Sequence, residues 1–159
     1  MIRNERIAAT LEGSFVVFMI GLRVNRLWQI HKWWPVASAM PRMVKELSLQ
    51  PNSGFLHAEA WFGRTTIMVQ YWRSLEKLLS YAHNTKAEHL PAWRAFNQAI
   101  GTSGAVGIWH ETYMASAGTY ENIYVNMPPF GLGKIGSIYP ATGASASAAA
   151  RMGAKHQAP

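Results

Sequence analysis

Two short segments of the sequence carry imidazole, carboxylate and aromatic side chains in alternation. In the first, His57 and Glu59 are two residues apart, and in the second His110, Glu111 and Tyr113 lie within four residues. A glutamate or a histidine held in a dry pocket can act as a general base, because burial raises the pKa of a carboxyl group toward neutral pH. Glu59, Glu111 and His110 are therefore the candidate catalytic residues.

The side chains around these groups indicate an apolar binding site with a few polar contacts. Tryptophan rings would form its walls and exclude water, and Arg64 or Tyr113 would stabilise an enolate or phenolate oxygen. The candidate substrate-binding residues are His57, Trp61, Arg64, Gln70, Trp72, Trp109 and Tyr113. The same polar groups could instead satisfy one another at an interface, since buried polar groups need partners whether or not they do chemistry.

The segment that holds the first group reads as a β-hairpin followed by a helix. Phe55 to Phe62 and Thr65 to Trp72 are aromatic and β-branched stretches separated by Gly63-Arg64, which predicts two antiparallel strands. Ser74 then precedes a stripe of apolar residues at three- and four-residue spacing. This predicts a helix with Ser74 as its N-cap.

Upstream of the hairpin, the pattern predicts one strand and one helix. Ser14 to Arg23 is a nearly continuous apolar run, which is typical of a strand covered on both faces. Pro35 is expected at the first position of a helix that reaches about Leu49. Pro41 should kink or delimit this helix, unless the helix starts nearer to Pro41 itself.

Downstream of the hairpin, the pattern predicts a further helix and a last strand. An apolar stripe begins at Leu90 and ends at Gly101, and Ala105 to Ala115 reads as a strand. The order β-α-β-β-α-(α)-β is that of a ferredoxin-like fold, an α+β class with an antiparallel sheet and helices on one face.

The second face of such a sheet also needs cover. Alternation places one set of side chains together on a face of the hairpin: Phe55, His57, Glu59 and Trp61. On the last strand, His110 points away from Trp109, Glu111 and Tyr113, and the pattern leaves open which face meets a cavity. The mixture of aromatic and ionisable groups favours a second copy of the sheet closing over it. We therefore expect a homodimer, a dimeric α+β barrel with a small apolar organic ligand inside.

Composition limits the remaining possibilities. The 159 residues are expected to form one domain, residues 1–140 with a C-terminal arm from about residue 118, followed by a flexible tail of small residues over 141–159. Cysteine and aspartate are absent and the glutamates are scattered, so we expect no metal site built from thiolates or carboxylates, whereas a metal bound through imidazole, for example in a porphyrin, stays open. The formal charge of +7 comes from scattered basic residues, which argues against a nucleic-acid partner. No apolar run reaches the ~20 residues of a membrane span, so we expect no membrane and a cytoplasmic location.

Several blocks of the sequence resemble a known family: IRNERIAATLEGSFVVFMIG, WFGRTTIMVQYWRSLEKL, EHLPAWRAFNQAIG, GIWHETY and YVNMPPFGLG. The family is monooxygenase-like; it was first catalogued as a domain of unknown function and later named after a fungal meroterpenoid-pathway monooxygenase. The resemblance covers roughly residues 2–142. It implies a dimeric α+β barrel that oxidises apolar, often polycyclic or phenolic molecules, in several relatives without a bound cofactor.

A more distant similarity points to aldoxime dehydratases, which share the fold type and bind heme b. The block YWRSLEKLLSYA followed by HLPAW resembles their proximal heme region, which would make His89 the axial ligand. The segment YVNMPPFGL resembles the turn that carries their distal histidine, but Met127 or Pro128 occupies that position here. The resemblances together imply either no cofactor or heme b. A ligand-binding dimer without catalysis is the remaining alternative.

Overall fold

The computed structural model describes residues 2–83 and 103–153, which belong to two compact units. One is the described part of Val17–Tyr113, and the other comprises the described parts of Met1–Val16 and Met114–Pro159. The predicted boundary between a domain and a flexible tail at residue 141 stays a prediction. The helix predicted between Leu90 and Gly101 lies outside the described residues.

The strands and helices follow the predicted order, with additional strands at both ends. In chain order they are β1 (Arg3–Thr10), β2 (Phe15–Val24), α1 (Ile30–Ser48), β3 (Phe55–Trp61), β4 (Ile67–Trp72), α2 (Leu75–His83), β5 (Val106–Ala115), β6 (Tyr124–Met127), β7 (Ser137–Pro140) and α3 (Ala148–Arg151). The main sheet has the strand order β3-β4-β2-β5, which is the ferredoxin-like arrangement. The predicted α+β class and ferredoxin-like sheet are therefore confirmed.

Helix α1 covers one face of the four-stranded sheet. Its Met40 packs in a core cluster with Leu22 and Val24 of β2, Met68 of β4 and Val106 of β5. All five side chains are buried. Fully burying a side chain of this size stabilises the fold by ~1.5–3 kcal/mol, so this cluster fixes the helix against the sheet.

Helix α1 begins earlier than predicted, at Ile30 instead of Pro35, and both Pro35 and Pro41 lie inside it. Each proline removes one intrahelical N–H donor. Packing offsets this loss, because the additional first turn contributes Trp33. Its indole N–H donates a hydrogen bond to the carbonyl oxygen of Leu27 (3.0 Å), and its ring packs against the core. Proline signals alone therefore misplaced the helix start.

The loop between β3 and β4 is longer than predicted. The β3–β4 ladder ends at the pair Trp61–Ile67, so the connection is longer than the predicted break at Gly63-Arg64. The reason is that the chain turns toward β2 after the loop: the N–H of Thr66 donates to the carbonyl oxygen of Leu22 (2.8 Å). Residues that were expected to extend β4 toward β3 thus extend the contact with β2.

Helix α2 begins as predicted. The side-chain oxygen of Ser74 accepts a hydrogen bond from the N–H of Lys77 (3.2 Å), which is the N-cap geometry. The carbonyl oxygen of Ser74 accepts the first intrahelical bond, from the N–H of Leu78 (3.2 Å). The sequence-based prediction of this cap is confirmed.

The other unit contains a three-stranded sheet with the order β6-β1-β7. Sequence analysis missed it because β1 begins with four polar, exposed residues and buries only Ile7, Ala8 and Ala9. The side chain of Asn122 extends the pairing of β1 by imitating a strand backbone. Its Oδ1 accepts from the N–H of Ala9 (2.7 Å), and its Nδ2 donates to the carbonyl oxygen of Ala9 (2.8 Å).

Replacing Asn122 with alanine removes both bonds to Ala9 and should lower the free energy of unfolding by about 2 kcal/mol. Thermal or urea unfolding measures this. Asn52, whose side chain makes no hydrogen bond among the described residues, is the matched control, and Asn52→Ala should change stability by less than about 0.5 kcal/mol. Equal effects of the two variants would contradict the role of Asn122.

Residues 141–153 include a 3₁₀ turn and α3, held together by one arginine. The Arg151 side chain is 3% exposed and pairs with Glu121, with Nε–Oε2 and Nη2–Oε2 distances of 2.9 and 2.6 Å. Its Nη1 donates to the carbonyl oxygens of Ser145 and Ala146. One cation therefore fastens this turn to the segment that carries Glu121.

Candidate active site

The unit Val17–Tyr113 encloses a cavity of about 290 Å³ between the four-stranded sheet and helices α1 and α2. This volume is close to the lower end of the ~300–1,000 Å³ typical of small-molecule sites. Its walls are mainly apolar: Phe18, Ile20, Leu22, Val36, Ala39, Met40, Met43, Leu47, Met68, Leu78, Ala82 and Ile108. Three polar side chains also line it, namely Gln70, Tyr81 and His110.

Gln70 presents a hydrogen-bond donor to this cavity. The residue is 7% exposed, and its Oε1 accepts a bond from the indole N–H of Trp72 (2.9 Å). An indole can only donate, so the carbonyl oxygen of the Gln70 amide must face Trp72 and the NH₂ group must face the other way. Among the described residues, its other hydrogen-bond neighbour is the Sδ of Met68 (3.2 Å), a weak acceptor that leaves one N–H for a ligand.

His110 is the imidazole that lines the cavity. It projects from β5 on the side of α1, and its ring lies 5.9 Å from the ring of Phe18. The residue is exposed, and within the described part of the chain neither ring nitrogen has a hydrogen-bond partner. An imidazole at the edge of an apolar cavity, open to water on one side, can accept a proton from a ligand and release it to solvent.

Tyr81 closes the α2 side of the cavity. Its ring packs on the ring of Trp72 with centroids 5.6 Å apart, and its hydroxyl donates a long bond to Oε2 of Glu46 (3.5 Å). Trp72 is itself fully buried and also contacts the ring of Phe55. The rings of Phe55, Trp72 and Tyr81 thus form one layer, and Trp72 holds the side chain of Gln70 through its hydrogen bond.

The predicted site residues divide between the two faces of the sheet. Gln70, Trp72 and His110 lie on the helix side, whereas the other strand residues lie on the opposite side: His57, Glu59, Trp61, Trp109, Glu111 and Tyr113. Arg64 lies in the loop, where its Nε donates to the carbonyl oxygen of Val24 (3.3 Å). Within the part of the chain that the structure describes, the three candidate catalytic residues therefore do not share one cavity.

On the opposite face the two glutamates are also separate from each other. Glu59 is on β3 and Glu111 is on β5, which are the two edges of the sheet, so three strand spacings of about 14 Å in total lie between them. Glu59 pairs with His57, whose Nε2 lies 3.0 Å from its Oε1. Glu111 accepts a hydrogen bond from Tyr113. Each carboxylate thus has its own partner on its own strand.

One detail of this part of the sheet differs from simple alternation. A bulge between Phe55 and His57 moves Phe55 to the helix side, where it meets Trp72, although alternation grouped it with His57.

The indole nitrogen of Trp109 is buried and, among the described residues, has no hydrogen-bond partner. A methyl group on Gly21 would come within 2.7 Å of that nitrogen, so the backbone of β2 closes over the indole.

Tyr113 offers a direct titration test of this geometry. Its hydrogen bond to Glu111, and then the negative charge of that carboxylate, raise the pKa of Tyr113 above its ordinary value of about 10. Tyr113 should therefore form tyrosinate only above about pH 10. The difference in tyrosinate absorbance between the protein and its Tyr113→Phe variant measures this titration. Glu111→Gln should return the titration of Tyr113 to lower pH, and an unchanged curve would contradict the pairing.

Sequence reasoning missed the contribution of α1 and Phe18 to the cavity. The usable signal was the alternation of Met68, Gln70 and Trp72 along β4, which places a polar side chain between two large apolar ones on a face that a helix covers. A buried amide in such a row needs a stated partner or ligand. That row could have marked its own face of the sheet as a candidate site, without saying that this is the face that α1 covers.

Among residues 2–83 and 103–153, no group of three histidine or carboxylate side chains is close enough to hold a metal ion. His89, the expected axial ligand of a heme, lies outside the described residues. None of the helices in the described ranges has the length and apolar character needed to cross a bilayer.

Comparison with known proteins identifies the family. Residues 15–132 match the profile of the family described as Monooxygenase af470-like. The chain belongs to the monooxygenase af470-like family. A curated relative in this family, Monooxygenase af470 of Aspergillus fumigatus, is 29% identical over 132 residues. The match covers 77% of this chain and 46% of the relative, so the chain spans about half the length of that protein.

Two solved structures are similar to this af470-like chain, and the first of them shares its fold. An aldoxime dehydratase (OxdRE) in complex with butyraldoxime superposes with a TM-score of 0.68 at 14% identity, over 84% of this chain and 41% of that one. SnoaB, a cofactor-independent oxygenase from Streptomyces nogalater, gives a TM-score of 0.46 at 15% identity, over 64% of this chain and 93% of that one. The resemblance to the family and the fold likeness to aldoxime dehydratase are both confirmed.

Proposed function

We propose that the protein is a monooxygenase that oxidises a small apolar organic molecule in the cavity between the sheet and helices α1 and α2. The observation that carries the proposal is an apolar cavity with a fixed donor, Gln70, and an imidazole, His110, on its wall. Membership in a family named for a monooxygenase supports the reaction class. The substrate we propose has an acidic C–H or phenol and one oxygen that can accept a hydrogen bond.

The chemistry needs only groups that the cavity offers, together with molecular oxygen. His110 takes a proton from an activated methylene, and the N–H of Gln70 holds the enolate oxygen that forms. The electron-rich carbanion then reduces O₂, so that a methylene becomes a carbonyl and water is released: R₂CH₂ + O₂ gives R₂C=O + H₂O. The substrate loses four electrons and oxygen gains four, so no external reductant is required.

Anthrone, a tricyclic ketone with an acidic methylene, is a suitable probe. We expect oxygen uptake with formation of anthraquinone. Gln70→Leu should reduce turnover by roughly tenfold or more, because a donor to the developing oxyanion is lost. The same variant should bind anthracene, which has no oxygen, about as tightly as the unmodified protein does. Loss of binding for both ligands to the same extent would mean that Gln70 shapes the cavity and does not orient an oxygen.

Heme remains the alternative cofactor hypothesis, with His89 as the expected ligand. An absorption spectrum of protein from heme-supplemented cells tests it, since a stoichiometric Soret band that disappears in His89→Ala would establish heme binding. A colourless protein that oxidises anthrone would support the cofactor-free reaction.

We also propose that the protein acts as a homodimer that covers the sheet face opposite the helices. Support comes from Trp61, which is 44% exposed there, and from the row of aromatic and ionisable groups around it. Sedimentation velocity measures the oligomeric state directly. A monomer at micromolar concentration would contradict this part of the proposal.

A further inference from the structure

A cluster of large apolar side chains is exposed at the start of α1. Trp28 is 76% exposed, Trp34 59%, Ile30 57% and Leu27 55%. We call these four residues the α1 patch. Single exposed apolar side chains are common, but a contiguous group of this kind marks an interaction surface. None of the four lines the cavity described above.

The α1 patch is held by hydrogen bonds and ring contacts. The indole of Trp33 donates to the carbonyl oxygen of Leu27 (3.0 Å), and its ring meets the ring of Trp34 edge-on with centroids 6.0 Å apart. The N–H of Gln29 donates to the carbonyl oxygen of Arg26 (3.1 Å). The turn before α1 is thus tied to the helix, and the four side chains are presented together.

The stretch of sequence that contains the α1 patch carries charge of a single sign. From residue 13 to residue 45 the sequence contains no acidic residue, and it contains five basic ones: Arg23, Arg26, Lys32, Arg42 and Lys45. Arg26 and Lys32 flank the patch directly, and neither forms an ion pair within the described residues. Such a surface is complementary to an anionic one. Two copies packed patch to patch would bring the same cations together, which disfavours a second copy as the occupant.

We propose that the α1 patch docks on the surface of an anionic lipid bilayer. Tryptophan rings favour the level of the headgroups, and Leu27 and Ile30 would enter the acyl boundary. Arg26 and Lys32 would lie beside the lipid phosphates. The sequence-based expectation of no membrane considered only a spanning helix. This inference goes beyond the proposed oxidation and does not depend on it.

Flotation with vesicles tests the proposal on the full chain. We expect the protein to float with vesicles of equal parts phosphatidylcholine and phosphatidylserine, less with phosphatidylcholine alone, and less as salt increases. The double variant Trp28→Ser/Trp34→Ser should lose at least about tenfold in partitioning, since two large apolar side chains are removed. Arg26→Gln/Lys32→Gln should lose about tenfold on the mixed vesicles only.

The control is Leu49→Ser, which removes a large apolar side chain that is 72% exposed at the opposite end of α1 and should leave partitioning unchanged. No flotation with either vesicle, or equal flotation of the double tryptophan variant and the unmodified protein, overturns the proposal. Sedimentation velocity without lipid provides a further test. If the double tryptophan variant dissociates an oligomer and flotation is absent, the patch is a contact between copies and the proposal is wrong.

Discussion

Replacing His110 with glutamine is expected to reduce kcat/KM for anthrone by a factor of about 100 to 10,000, the usual contribution of a general base. Glutamine fills a similar space but does not accept a proton near neutral pH. Because His110 is exposed and has no hydrogen-bond partner among the described residues, the free energy of unfolding should change by less than about 0.5 kcal/mol. Steady-state oxygen uptake and thermal unfolding measure the two quantities.

Glu59→Gln and Glu111→Gln provide the comparison, since both glutamates lie on the opposite face of the sheet. If the helix-side cavity is the active site, each variant should keep turnover within about threefold of the unmodified protein, the effect of a group without contact to the reacting atoms. Loss of turnover in either glutamate variant, with His110→Gln unaffected, would move the active site to the other face and reject His110 as the base.

Replacing Gly21 with alanine should unfold or strongly destabilise the unit Val17–Tyr113. The added methyl group would lie 2.0 Å from the carbonyl oxygen of Thr66 and 2.7 Å from the indole nitrogen of Trp109. The first contact involves backbone, so β2 and the start of β4 would have to separate. We expect a loss of at least about 3 kcal/mol in the free energy of unfolding, at the upper end for overpacked sites.

Gly107 is the matched control for Gly21. It is also a strand glycine, on β5, but the closest atom to its hypothetical methyl group is Nδ2 of Asn25 at 3.9 Å. Gly107→Ala should therefore be neutral or slightly stabilising, because alanine restricts the unfolded chain more than glycine does. Denaturant unfolding of the two variants separates crowding from the general effect of removing a glycine. Equal stability of both would contradict the close approach at Gly21.

The order of the central elements was predictable because local patterns and tertiary packing agree there. The alternation in β3 and β4 and the Ser74 cap each depend on a few neighbouring residues. The start of α1 was not predictable in this way, since contacts of Trp33 with distant parts of the chain outweigh the penalty of Pro35. Strand β1 has no apolar alternation at its start, so only its pairing with β6 and β7 identifies it.

The candidate site was only partly predictable, because alternation assigns residues to two faces without saying which face a helix covers. Gln70 and His110 were named from the sequence, but they were grouped with Glu59 and Tyr113, which project the other way. The bulge at Phe55 adds a second difficulty, because one extra residue in the strand reverses which side chains point to which face of the sheet before the bulge. Neither the bulge nor the position of α1 has a signal in the local sequence.

The ion pair between Arg151 and Glu121 bears on how the chain can be shortened. The sequence predicts that the domain ends at residue 140. A chain cut there would lose the cation that pairs with Glu121 and the two hydrogen bonds from the Arg151 guanidinium to carbonyl oxygens. A protease that cleaves after exposed basic residues would also reach Arg151 poorly, since its side chain is almost wholly covered. Limited trypsin digestion of the folded protein should therefore leave the peptide bond after Arg151 intact longer than bonds after exposed lysines.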